Sequence, residues 1–183
     1  MKNHKIITSF FLIFAFFLPA QSSQETILNQ LFKKLSITDN YKDADLLEKK
    51  IWAVWNEHPK NKELTEKLEF GTELMHEGSY NYALKVFNNI IRTDSEWSEA
   101  WNKRATLLFF MKDFNKSLDD IKIVLRIEPR HFGALSGQAQ IYIELEEYEK
   151  ALDSLKKASK IYPVIRGNKL IPDLKKLIKK QSI

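Results

Sequence analysis

The chain has 183 residues, 44% of them hydrophobic and 29% charged, with a formal charge of +5. That apolar content suffices to bury a core, which excludes the disordered class, and the length allows one domain or two small ones. Five glycines are too few for a β-sandwich of many tight turns or a Gly-rich phosphate loop, and without cysteine there is no disulfide, thiol nucleophile or thiolate zinc site.

Lys2 and Lys5 precede an uncharged apolar run from Ile6 to Leu18, and Pro19-Ala20-Gln21-Ser22-Ser23 follows. Basic, apolar and small-residue segments in this order have the form of a secretory signal peptide over residues 1–22, with cleavage after Ser22. The apolar run would make a helix of about 20 Å, short of the roughly 30 Å hydrocarbon core, which disfavours a retained anchor. The expected location is periplasmic or secreted, and a chain without thiols suits an oxidising compartment.

Residues 23–63 read as a helical hairpin. Leu28, Leu31, Phe32 and Leu35 make one stripe, Leu46, Leu47, Ile51, Val54 and Trp55 another, and Thr38-Asp39-Asn40 is the turn between them. Pro59 lies two places out of phase with the repeats that follow, so the hairpin is expected as a degenerate repeat or an N-terminal cap.

A period of 34 residues organises the rest. Pro129 and Pro163 are in register with Ser95; Gly71, Ala105 and Ala139 form a small column, and Ala83, Ser117 and Ala151 a second. Tyr80, Phe114 and Tyr148 align, as do Phe87, Ile121 and Leu155, and Ile90, Val124 and Ala158. In the middle copy, positions 101, 105 and 108 form one helical stripe and 114, 117, 118, 121 and 124 the next, with a turn near Lys112-Asp113. Small residues at 105 and 117 let two backbones approach, and the proline near the end of a copy stops its second helix.

Trp101-Asn102-Lys103-Arg104-Ala105, the turn Met111-Lys112-Asp113-Phe114, and Ser117, Ile121 and Pro129 resemble the tetratricopeptide repeat (TPR), a 34-residue helix–turn–helix unit. The copies are 64–97, 98–131 and 132–165. The resemblance implies an all-α fold: an α-solenoid of antiparallel helix pairs, with 166–183 as a C-terminal capping helix carrying Leu170, Leu174, Leu177 and Ile178. Departures are Lys67 and Leu135 at the aromatic place and Arg104 and Gln138 where the family prefers an aliphatic residue. A partly buried Arg104 needs an acid, and Asp119, Asp120 and Glu128 are within reach. The order of signal, off-phase hairpin ending in IWAVW, WNKRAT and EPRHFGALSG resembles small exported TPR proteins of proteobacteria.

Catalytic and cofactor chemistry is not written in the chain. His4, His58, His76 and His131 make no zinc motif, and there is no phosphate cradle or nucleophile elbow. The expectation is therefore no enzyme, no cofactor and no metal. Ten Lys/Arg against Asp153 and Asp173 between Lys150 and Ile183 make the C-terminus basic. Export argues against nucleic acid, which leaves contact with a membrane or wall polymer as a secondary reading. The resemblance implies a concave groove lined by the first helix of each pair. Its candidate partner-binding residues are Met75, His76, Asn102, Lys103, Thr106, Phe109, Phe110, Gln140 and Ile143, with small floors at Gly133 and Gly137. Some relatives clamp a peptide's terminal carboxylate with a Lys/Asn/Arg set, but Thr72 and Thr106 stand where that set needs asparagine. The function expected is a non-catalytic protein–protein interaction module, an adaptor or assembly factor of the envelope, whose partner is a protein or peptide segment.

The mature protein is expected to begin at Ser23 and to be soluble outside the cytoplasm. Intact-mass measurement on fractionated cells checks this, and a full-length species held in the membrane fraction contradicts it.

Overall fold

The computed structural model describes residues 23–181, so the signal reading lies outside the described residues. Helices α1 (Ser23–Leu35) and α2 (Tyr41–Asn56) form the N-terminal hairpin. Three antiparallel pairs follow: α3 (Lys62–His76) with α4 (Tyr80–Thr93), α5 (Ser98–Phe110) with α6 (Phe114–Ile127), and α7 (Phe132–Glu144) with α8 (Tyr148–Ile161). A 3₁₀ turn (Arg166–Leu170) leads into α9 (Ile171–Gln181), which packs on α8. Among the described residues no helix is long and apolar enough to cross a membrane.

The 34-residue columns are the contacts that hold the pairs together. Ala83, Ser117 and Ala151 are buried where the helices of each pair cross, and Ser117 Oγ donates to the Ala105 carbonyl at 2.7 Å. Phe87 fills the space left by Gly71, where an added Cβ would lie 2.7 Å from its ring. Phe87, Ile121 and Leu155 are each at most 2% exposed, and Ile90, Val124 and Ala158 are fully buried. Fully burying side chains of this size contributes about 1.5–3 kcal/mol each relative to exposure. Arg104 chooses Asp120 from the three acids in reach, in a bidentate pair of 2.7 Å bonds, and adds a 2.7 Å bond to Asn88. Burial pushes the Asp120 carboxyl above its ordinary range in spite of that guanidinium.

The two ends depart from expectation. The hairpin does not cap the first repeat: its buried side chains Phe32, Ile51 and Trp55 pack with Phe132, Leu135, Ala158 and Tyr162 of the third. Helix α2 thus runs along the inter-repeat loops. Asp45 meets Arg166 at 3.1 Å near its start, and the Trp55 carbonyl accepts the Trp97 indole N–H at 3.1 Å near its end. In the closing helix only Leu174 is fully buried; Leu170 and Leu177 are exposed, because α9 turns one narrow stripe toward α8.

Each pair turns in the same way. Gly78, Lys112 and Glu146, spaced 34 apart, all have positive φ of 80°, 60° and 58°. At each, the next amide N–H reaches back five residues, as Ser79 to Leu74, Asp113 to Leu108 and Glu147 to Tyr142, which closes a Schellman turn. Only the first copy has the residue that this conformation favours. Gly78→Ala, whose methyl would touch nothing within 4 Å, is expected to cost about 1 kcal/mol through the backbone alone. Glu146→Gly is expected to leave stability unchanged or raise it by about 0.5 kcal/mol. Chemical denaturation of both variants checks the pair, and equal destabilisation by both contradicts it.

Candidate functional site: a trough across the first helices of repeats two and three

The site begins with two tryptophans of α2. Trp55 stacks on the His131 ring at 4.0 Å with 6° between planes, and Trp52 meets it edge-on at 5.5 Å. Trp52 also lies against the backbone of Gly133, where a Cβ would come within 2.5 Å of the indole, so glycine is required for this approach. His131 is completely buried and caps α7: its Nδ1 accepts the Ala134 N–H at 3.1 Å. The proton therefore sits on Nε2, which donates to Glu99 Oε2 at 3.1 Å.

Glu99, also completely buried, takes a further bond from Asn102 at 3.2 Å and pairs with Lys103 at 3.3 Å. Burial alone pushes its carboxyl up, but the His131 hydrogen bond, the Lys103 charge and the Asn102 amide outweigh it and hold the group below its ordinary value. His58 makes a similar arrangement before α3, two pairs earlier, with Nδ1 accepting the Lys60 and Asn61 N–H groups and Nε2 donating to Asp94 at 2.9 Å. These histidines are structural staples at loop crossings.

Beside the tryptophans lies a cleft of about 410 Å³ with Trp52, Glu48 and Asp45 on one wall. Ser136, Gln140 and Ile143 of α7 form the floor, and Arg166 and Leu170 close the far side. Its acids are engaged: Glu48 accepts from Tyr162 at 3.0 Å and from Trp52 at 3.3 Å, and Asp45 pairs with Lys49 at 2.7 Å as well as with Arg166. Burial first, and then the Glu48 charge, push the Tyr162 hydroxyl far above its usual range. A smaller cavity of about 60 Å³ between α5 and α7 is lined by Asn102, Thr106, Phe109, Gly137 and Gln140. Gly133 and Gln140 border both, so the two cavities adjoin over α7 and together make a trough there.

The structure distributes the sequence-derived candidates unevenly. Asn102, Thr106, Phe109, Gln140 and Ile143 border the trough. Lys103 is turned inward to Glu99, with its ammonium 5.9 Å from the Trp52 ring centroid. Met75 is a correction: it is 4% exposed and packs with Leu68, Phe87 and Leu107 in the core, because it faces the next repeat. Phe110 is 47% exposed, but its ring neighbours are Tyr80 at 6.4 Å and Phe109 at 6.0 Å, which puts it on the rim at the turn end of the pairs. His76 is exposed in the last turn of α3. Sequence reasoning missed Trp52, Glu99, His131, Glu48 and Arg166. A column could have exposed part of this: Trp97, His131 and Ile165 are 34 apart, each precedes a helix, and all three are buried under the hairpin.

Helix pairs stacked in one phase define an α-solenoid. The tetratricopeptide repeat profile matches residues 133–164. A TPR repeat-containing protein of Rhizobium etli is 36% identical over 118 residues, which are 64% of this chain and 57% of that protein, so the match spans little more than half of its relative. Among solved structures, the first TPR of Spaghetti (RPAP3) bound to an HSP90 peptide superposes with TM-score 0.59 at 17% identity, covering 66% of this chain and 94% of that one. The TPR2B domain of yeast Sti1 in its Hsp70 complex gives 0.55 at 20% identity, covering 67% and 98%. At these identities the structures share the fold. Residues 133–164 thus carry a tetratricopeptide repeat, and the chain is similar to proteins built of such repeats, which are generally non-catalytic protein–protein interaction modules.

An acid held below its unfolded value gives stability that is complete above the unfolded pKa, near 4.3, and is lost as the pH falls through the lower folded one. Glu99 is in that position, so the melting temperature is expected to drop as the pH falls below about 4.3. Glu99→Gln should start lower at neutral pH and lose less on acidification. Thermal melts across that range check this, and an identical acid slope in the variant contradicts it.

Proposed function

We propose that the protein is a non-catalytic adaptor or assembly factor of the cell envelope that holds an extended segment of a partner protein in the trough over α7. The observation that carries this reading is the adjacency of the two cavities, which share Gly133 and Gln140 in their walls. A segment lying there would meet a floor without side chains at Gly137 and walls from Trp52, Phe109 and Ile143. The structural neighbours named above hold HSP90 and Hsp70 peptides, which supports a peptide occupant. A carboxylate clamp of the kind in some relatives is not part of the proposal, since Lys103 is committed to Glu99 and position 106 is threonine. The envelope location rests on the signal-like order of residues 1–22.

Gly137 separates site from fold. A Cβ there would meet only Ile121 Cδ1, at 3.9 Å, so the fold has room for a side chain that would fill the trough. A photo-crosslinker at Gln140 in intact cells is expected to trap a defined partner that Tyr82, exposed on α4, does not trap, and Gly137→Leu should abolish that crosslink. Against the partner segment so identified, Gly137→Leu is expected to cost about 2 kcal/mol or more of binding with little change in melting temperature. Changing Lys175, Lys176, Lys179 and Lys180 to Gln should leave binding intact. The reverse pattern, binding kept in the trough variant and lost in the lysine variant, would replace this reading with membrane or wall contact through α9.

A further inference from the structure

The first repeat has an open end. In the second and third repeats the stripe of the first helix that faces the preceding pair is buried: Ala100 and Leu107 are 0% exposed, Ala134 and Ile141 1%. Shifted back by 34, those positions in α3 are Glu66 and Glu73; both are exposed, as are Phe70 (53%) and Glu77 beside them. In chain order these positions are four, three and four apart, so they share one helix face. The hairpin, which could have covered them, is spent on the third repeat. Among the described residues Glu73 and Glu77 have no ion-pair partner, while Glu66 pairs with Lys62 at 3.3 Å.

The opposite end carries the complementary chemistry. Helix α9 buries Leu174 on α8 and leaves Leu177 exposed beside Lys180 and Lys176, the latter paired with Asp173 at 3.0 Å. An acidic face with one exposed phenylalanine thus stands at the start of the solenoid, and a basic face with one exposed leucine at its finish. From this complementarity we infer that the protein self-associates head to tail, the α3 face of one copy stacking on α9 of the next as a further repeat would. Such a contact is heterologous: each copy keeps one free end of each sign, and chains of copies grow without closing. Opposite charges across a solvated contact make it salt-sensitive.

Sedimentation equilibrium of the purified protein tests this. The weight-average mass is expected to climb with concentration at low salt and to return to that of one chain in about 0.5 M salt. Glu73→Lys/Glu77→Lys alone should be a monomer at low salt, and so should Lys176→Glu/Lys180→Glu alone. Mixed, they should associate again, because the reversed ends now match each other. A monomer at every concentration overturns the inference. So does association that persists in either variant, or a mixture that stays monomeric, which would assign the acidic end to a different protein.

Discussion

The buried contact between His131 and Glu99 sets where every other part of the groove lies. A carboxylate with no exposure is costly to hold unless its oxygens are satisfied, and three donors from α5 and the loop before α7 satisfy it here. That requirement fixes the imidazole plane, and the plane in turn offers a flat face on which Trp55 stacks. Once Trp55 is seated, α2 must pass over Gly133, and the hairpin becomes a wall of the trough rather than the first layer of the solenoid. A polar pair at a repeat junction thereby decides the route of a helix more than thirty residues away in sequence.

This arrangement divides the first helices of the repeats into two regions. Near the inter-repeat loops they are covered by α2; near the turns, around Phe109 and Phe110, they remain open. The trough between is bounded on both sides by segments outside the three repeats, α2 and the Arg166–Leu170 turn, which Asp45 and Arg166 tie together. The ends of the stack are treated differently from each other. The last repeat is closed by Leu174, while the first exposes Phe70 among glutamates.

The repeats were legible because their signal is local. Small columns at 71/105/139 and 83/117/151 arise from helix crossing within a pair, and such contacts recur at fixed spacing. The hairpin's destination was not legible, because Trp52 meets Gly133 and Phe32 meets Phe132 across about half the chain, and no periodicity encodes such a pairing. Met75 was misassigned for a related reason: a position that borders a groove in one arrangement of helices is core where Leu107 packs against it. Gln140, Thr106 and Phe109, which the resemblance puts on the groove side, border the two cavities over α7. Arg104 illustrates the intermediate case, in which sequence required an acid and geometry selected Asp120.

The most direct test of the account is the position of the hairpin relative to α7. The chain has no cysteine, so two can be introduced and spin-labelled without interference, one at Lys49 on α2 and one at Gln140 on α7. Pulsed dipolar spectroscopy is predicted to give one narrow, short distance distribution, with or without a partner segment in the trough. A long or broad distribution would mean that α2 does not lie along the third repeat, and the trough as a binding site would fall with it.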